Sequence, residues 1–396
     1  MIATSARRSS ETAEVVSLSG HDGASLPLSG VCVAAIIDTS IVSGPSRQLV
    51  HLALGLRAHG VRLHVVLFGG PRRVPSALRP LLEAADIDHT VVLESRRFDL
   101  SVVRRLRKTL ESIGADLIQT HGYRPAVLMY LLRRAGLRTP WVAYSHGATT
   151  EDLKVRLYHR LDRWVSRRAD RIVVMSRRHA EDWSSVAQKV DVIYNAVIDP
   201  VDAGDLPPAT LARLRSLPRP RFGVIGRLSS EKGVDVFLAA LSLLRDRGII
   251  VSAVIAGDGP ERDALEAVTR HRGLAESVAL LGPVQPITSL YRELDAVVIP
   301  SRSEGLPNVL LEACRLDVPF LATRVGGIPE IVSPHGAGIL VEPGRADTLA
   351  DGLATLLAQL DDVEPRDGRR RISEQVSLQR RVEAHVRLYM GVLCRA

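Results

Sequence analysis

Residues 301–316 read SRSEGLPNVLLEACRL and hold two carboxylates, Glu304 and Glu312, on either side of a Gly-Leu-Pro-Asn turn. Gly305 gives the backbone freedom there, and Pro307 suits a first helical turn. The residues that follow carry apolar side chains at helical spacing. Were 304–312 one continuous helix, its rise would be roughly 12 Å at about 1.5 Å per residue. Paired carboxylates that cleave a glycosidic bond stand about 5–10 Å apart. The spacing is therefore too wide for an acid and a base on one bond, and it suits two grips on an extended ligand. The free N–H groups of a helix start lie between the acids and favour phosphate. A sugar, a diphosphate and a ribose in line match that order. A surface helix with a solvated acid at each end fits the spacing equally well.

Other stretches add cations and glycine loops. GRLSSEKGVD (226–235) follows a strand pattern and precedes a helix, so Arg227 and Lys232 stand where a diphosphate needs positive charge. Lys232 is one of only four lysines in an arginine-rich chain. TRVGGIPEIV (323–332) and SGPSRQ (43–48) are further loops of the same kind. One such loop is weak evidence for a ligand site; together, on paired α/β halves, they point to one. The only D-x-D, Asp86-Ile87-Asp88, reads as a solvated helix–strand junction, and no Cys/His cluster has zinc spacing. No metal is expected. A nicotinamide oxidoreductase is excluded by the lack of a G-x-G-x-x-G at a first strand–helix turn.

The elements that must position these residues alternate along the chain. Apolar strand runs occur at 31–37, 62–68, 116–120, 141–145, 171–175 and 191–194, with helical patterns at 46–59, 101–113, 124–135 and 151–168 between them. The second half repeats the theme with strands at 221–226, 250–257, 278–282, 296–300, 319–323 and 337–341. Strands of this type, without polar alternation, read as buried parallel sheet. Two doubly wound α/β domains are predicted, facing a central cleft with ligands at the carboxyl ends of the strands. Residues 1–29 read as a flexible tail, 30–200 as the first domain, 199–221 as a proline-rich linker and 201–376 as the second domain. A basic amphipathic helix, 377–396, is expected to pack back on the first domain.

With 396 residues, 46% hydrophobic and 24% charged, the chain is long enough for two cores; at 4% aromatic they must be built mostly from aliphatic side chains. The three cysteines, Cys32, Cys314 and Cys394, form no framework and fit a reducing cytoplasm. The net charge of +8 falls on residues 1–200, which suggests an anionic partner. The patterns 95–114 and 156–171, the latter with Trp164 on its apolar side, form basic amphipathic helices that could meet an anionic membrane or simply dock on a sheet with a wet basic face. No basic–aromatic module for nucleic acid is present.

The chain resembles the retaining, GT-B-fold glycosyltransferases of family 4 (glycosyltransferase group 1). Glu304 to Glu312 looks like that family's E-x7-E signature, and GRLSSEKGVD, AGDGP (256–260), LGPV (281–284), PSRSEGLPNVLLEA (300–313), TRVGGIPEIV and VEPGRADTLADGL (341–353) follow in family order. The likeness is strong over 220–360, weaker over 31–200 and absent from 1–29. It implies that Glu312 accepts hydrogen bonds from the donor ribose, that Glu304 contacts the transferred sugar, and that Arg227 and Lys232 neutralise the leaving diphosphate. Amides at Gly305, Leu306 and Asn308 and the loop around Gly44 would surround phosphate and sugar, with the base near Gly282 and Val284. His146, in AYSHG, matches a family histidine near the reacting centre. His121, after another strand, is the second choice on the acceptor side. Asn195 falls at the family's Asn-Gly-Val-Asp turn, altered here by Ala196 and Ile198, and is assigned a structural role.

The resemblance implies hexosyl transfer from a nucleotide-diphosphate sugar to a glycan, lipid-linked or small-molecule acceptor in surface polysaccharide or glycolipid assembly. The nucleotide sugar is a co-substrate, and no cofactor is needed. The expected location is the cytoplasm, or the inner face of its membrane. A nucleotide-sugar 2-epimerase and a non-catalytic nucleotide-sugar-binding partner are the alternatives.

Overall fold

The computed structural model describes residues 28–395 except 72, 73, 75, 96–98, 100, 147–152, 198–203 and 361–363, and the backbone alone at 153–157, 159, 364 and 365. Most of the expected tail, and the altered turn at Ile198 and Asp199, lie outside the described residues.

Two wholly parallel sheets form. The first has seven strands, β1 (Cys32–Ile37), β2 (Arg62–Gly69), β3 (His89–Leu93), β4 (Leu117–His121), β5 (Trp141–Ser145), β6 (Arg171–Val174) and β7 (Val190–Val192), in the order β3-β2-β1-β4-β5-β6-β7. The second has six, β8 (Arg221–Ile225), β9 (Ser252–Ala256), β10 (Val278–Gly282), β11 (Ala296–Ile299), β12 (Phe320–Thr323) and β13 (Ile339–Val341), in the order β10-β9-β8-β11-β12-β13. Helices cover both faces of each, because a strand such as β1, buried at every residue, must be shielded on two sides. These are two Rossmann-like sheets in the GT-B arrangement.

The strand order reverses between β1 and β4, and again between β8 and β11. At such a switch point the loops leaving two adjacent strands run to opposite faces and open a crevice at the carboxyl edge. In the second sheet these are the loops after β8, with Arg227 and Lys232, and after β11, with Glu304. In the first they follow β1, toward Gly44, and β4, at His121.

Two elements differ from the sequence reading, and a third fixes a distance it left conditional. β3 was not anticipated: it is a sheet-edge strand in which only Val92 is buried, so it lacks a continuous apolar run. The proline-rich stretch 199–221 contains a helix, Pro208–Arg215, started by the prolines themselves and anchored by buried Leu214. The helix after Glu304 begins only at Asn308, with Pro307 as its N-cap, so Glu304 lies on an extended turn and the continuous-helix rise does not apply.

The helix Leu378–Leu393 lies on the helix Gly44–Arg57 and puts Val382, Val386, Tyr389 and Val392 into the core beneath the first sheet. A Cβ on Gly55 would stand 2.4 Å from Val382 Cγ2, so the two backbones approach closely there. The chain returns beside its own crossover: Val197 N–H donates to Val376 C=O at 3.0 Å. Gly55→Leu is therefore expected to lower the thermal midpoint by several degrees through overpacking, measured by circular dichroism.

Candidate active site

The switch point of the second sheet brings together groups 72 positions apart. Lys232 Nζ donates to Glu304 Oε1 at 2.6 Å, and Ser301 Oγ donates to the same oxygen at 2.7 Å. The Glu304 side chain is 9% exposed and the Lys232 side chain 28%, so the pair sits in the wall of the cleft with the ammonium toward solvent. Thr323, at the end of β12, fixes the Ser301 carbonyl with a 2.6 Å hydrogen bond and so holds the Glu304 turn. Arg227 is exposed and forms no ion pair among the described residues. Lys232 is thus engaged with the carboxylate, whereas Arg227, on the same loop after β8, is open.

The Glu304 turn is shaped by close backbone approach. Gly326 has φ +54°, and a Cβ there would stand 2.0 Å from the Glu304 carbonyl oxygen. Gly327 N–H donates to Gly305 C=O at 2.6 Å. Gly326→Ala is expected to displace Glu304 and cut turnover at least tenfold. An unchanged rate of glycosyl transfer would contradict this geometry.

Glu312 lies on the helix Asn308–Arg315, half-buried, and accepts a 2.7 Å hydrogen bond from the Tyr291 hydroxyl. Burial raises its pKa, offset in part by that hydrogen bond and by the positive charge of Arg47. A ligand hydroxyl, such as the ribose expected from the sequence, would donate to the ionised form. Nucleotide affinity should therefore fall on acidification at a pH above the ordinary carboxylate range, and Glu312→Gln should flatten that dependence in a calorimetric titration.

The two halves meet at this helix start. A Cβ on Gly44 would stand 3.3 Å from Asn308 Nδ2, and Gln48 Nε2 donates to Asn308 Oδ1 at 3.1 Å and to Ala196 C=O at 2.8 Å. Asn195 Nδ2 donates to Leu306 C=O at 2.9 Å, which ties the end of the first half to the Glu304 turn. Leu306 and Val284 have buried side chains, so only their backbone can face a ligand. Gly282 opens toward Arg262, whose Nη1 lies 3.1 Å from where its Cβ would be.

His146 and His121 come together: His146 Nε2 and His121 Nδ1 are 3.0 Å apart, and their rings stack at 5.2 Å. The His146 carbonyl lies 3.0 Å from where a Gly305 Cβ would be, so this pair faces the Glu304 turn. Burial, with the positive charge of Arg381, pushes the His146 pKa down to about 4, and His121 lies well below its ordinary value for the same first reason. Both imidazoles are neutral at physiological pH. The rate profile should lack a histidine limb between pH 5 and 8; a limb near 6.5 that vanishes in His146→Ala would contradict this.

Sequence reasoning missed Tyr291, Gln48 and Arg381. Tyr291 has the look of an ordinary core aromatic in a short helix. Arg381 is buried in the C-terminal helix and donates to the Gln48 side chain, a contact between residues 333 positions apart that no local pattern announces. Asp86 and Asp88 precede the amino end of β3, the opposite edge of the sheet from the cleft, and lie near Arg57 and Arg62.

Facing Rossmann-like sheets with carboxylates and cations at the second switch point define a two-domain transferase of the GT-B type. Residues 42–199 match the pattern of Glycosyltransferase Family 4 and residues 219–359 that of Glycosyl transferases group 1, and the chain belongs to this family of glycosyltransferases. Among its curated relatives is the 2-deoxystreptamine glucosyltransferase of Streptomyces kanamyceticus, 30% identical over 63% of this chain and 70% of that protein. A D-inositol 3-phosphate glycosyltransferase of an Arthrobacter species is 29% identical over 75% of this chain and 72% of that one. The crystal structure of HepE from Anabaena in complex with UDP-glucose shares the fold, with a TM-score of 0.77 at 21% identity over 91% of this chain and 99% of that chain. The protein is a glycosyltransferase enzyme, and the 2-epimerase alternative is not favoured.

Proposed function

We propose that the protein transfers a hexose, with retention of anomeric configuration, from a nucleoside diphosphate sugar to a hydroxyl of a glycan, lipid-linked or small-molecule acceptor. The observation that carries this reading is the Lys232–Glu304 pair at the β8/β11 switch point, with Glu312 farther along the same segment. The diphosphate lies over the start of the helix Asn308–Arg315, where unpaired N–H groups point at it. Arg227 and Lys232 take its charge, and Glu312 receives the ribose hydroxyls. Glu304, released in part from Lys232, accepts from a hydroxyl of the sugar. Because Anabaena HepE was crystallised with UDP-glucose, a uridine diphosphate hexose is the first donor to try.

In this reaction the bond between the sugar C1 and the β-phosphate oxygen breaks, and the electron pair leaves with the diphosphate. The acceptor oxygen bonds to C1 on the face just vacated, and its proton passes to the departing phosphate. New negative charge appears on the β-phosphate, where two cations and the helix-start amides stabilise it. Neutral His146 can hydrogen-bond the sugar but carries no imidazolium proton to give. The chemistry needs no metal. Three cysteines without a disulfide support a cytoplasmic site of action, in surface polysaccharide or glycolipid assembly.

A thermal-shift panel of UDP-, GDP-, ADP- and TDP-hexoses tests the reading. One nucleotide class should stabilise the wild type and not Glu312→Ala. Equal stabilisation of both proteins would remove Glu312 from the ribose.

A further inference from the structure

Two neighbouring helices of the first half, Tyr123–Arg134 and Leu153–Ser166, leave an aromatic strip uncovered. Tyr123 and Tyr158 are each 42% exposed and stack at 4.8 Å with planes 9° apart. Leu161 is 39% exposed and Trp164 45%, and with Tyr158 they recur every three residues along one stripe. Tyr130 meets Trp164 edge to face at 5.4 Å, Leu131 is exposed beside it, and the Arg168 guanidinium lies 3.7 Å over the Trp164 ring. A sheet-docked helix would normally turn such residues inward.

Among the described residues, the exposed charge around the strip that is not paired has one sign. The helix Tyr123–Arg134 contains no acid, and the one acid of Leu153–Ser166, Asp162, is buried beside Ser166. The nearby exposed acid Asp170 is paired with Arg133. Arg134, Arg138, Arg160, Arg167 and Arg168 are exposed. The other basic helix, Ser101–Ile113, is different: Val102, Leu106 and Leu110 are buried, so its apolar face is consumed by the core, and Arg105 and Arg107 are paired with Asp99 and Glu111. Among the described residues of the two basic stretches in the sequence, the large apolar groups left exposed are those of 156–171.

We propose that this strip lies on an anionic lipid bilayer, with Tyr158, Leu161 and Trp164 at headgroup depth and the surrounding arginines on lipid phosphates. Tyrosine and tryptophan favour that depth, because one edge of each ring is apolar and the other polar. The strip begins at the cleft: Tyr123 follows His121, at the carboxyl end of β4, by two residues. A lipid-linked acceptor could keep its tail in the bilayer and present its hydroxyl to the His121–His146 wall. This deepens the reading of the acceptor given above, while the docking itself stands on the strip alone. A second copy fits poorly, since a two-fold contact would set arginine against arginine. A nucleic acid would pair with the arginines but leave Leu131 and Leu161 in water.

The test is flotation of the full chain with phosphatidylcholine vesicles, with and without phosphatidylglycerol. Binding should require the anionic lipid and weaken as salt is raised. Arg160→Gln and Arg167→Gln should each weaken it about fivefold. Trp164→Ser with Leu161→Ser should reduce binding at least tenfold with an unchanged circular dichroism melt. Arg104→Gln, on the helix whose apolar face is buried, should have at most half the effect of Arg160→Gln. No binding to anionic vesicles, or binding indifferent to Trp164 and Leu161, overturns the proposal. So does a wild-type dimer that the double variant converts to monomer without loss of vesicle binding. Stabilisation by nucleotide hexose, measured on the same samples, reports the donor reading separately.

Discussion

Lys232→Met is expected to lower the turnover of nucleoside diphosphate hexose by about 10²–10³-fold while leaving the protein folded. That is the range seen when one preorganised donor is removed from a developing oxyanion. In the resting protein Lys232 holds Glu304 at 2.6 Å. On the proposed mechanism, donor binding draws the ammonium to the β-phosphate, whose charge grows as the sugar leaves. The loss should therefore fall mainly on kcat, because the interaction strengthens in the transition state. The same substitution leaves a 9%-exposed carboxylate with Ser301 as its hydrogen-bond donor, so some loss of stability accompanies it. Lys232→Met combined with Glu304→Gln separates the two effects: stability should return and turnover should not. Donor cleavage, followed by nucleotide release, reads both variants. A rate within threefold of wild type for Lys232→Met would remove this lysine from leaving-group stabilisation.

The second large effect is on binding. Glu312→Gln should weaken nucleotide affinity by about 2–3 kcal/mol, roughly 30- to 150-fold, because hydrogen bonds from ribose to a charged acceptor are lost. Its stability effect should have the opposite sign. Burial raises the Glu312 pKa, so the folded protein holds this proton more tightly than the unfolded chain does. Both states are protonated at low pH, where the group is neutral to stability. As pH rises through the unfolded value, the unfolded chain releases its proton first, and stability is lost until the folded carboxyl ionises as well. Glutamine carries no such cost. Glu312→Gln should melt higher than wild type at neutral pH and converge with it in acid. Weaker binding joined to a higher melting temperature marks a residue kept for its ligand. A variant that lost both would make Glu312 a structural residue.

Much of this site is legible in the sequence because it depends on local pattern. Buried parallel strands such as β8, β9 and β11 are short apolar runs, and the loops after them carry glycine with Arg227, Lys232 or Glu304. The strand order then forces β8 and β11 together, so the meeting of Lys232 and Glu304 follows from topology. What failed depended on long-range pairing or on weak local signal. β3 has only one buried residue and is defined by its neighbour β2. The helix Pro208–Arg215 hides in a stretch whose prolines read as a linker, although two of them start it. The helix start was legible at Pro307, which caps a helix beginning at Asn308, whereas the rise reckoned for 304–312 held only for a continuous helix. Tyr291, Gln48 and Arg381 act through partners distant in sequence, and nothing near them reveals it. Trp164 was placed on an apolar face, but the structure turns that face outward, because the core beneath is already filled by Val165 and Ala169.

The most direct test of the central claim is proton NMR of the sugar released from a UDP-α-hexose, with water or an alcohol as acceptor. The account predicts UDP release and an α-configured product before mutarotation, both abolished in Lys232→Met. A β-configured first product, or a donor whose sugar is altered without release of UDP, would contradict it.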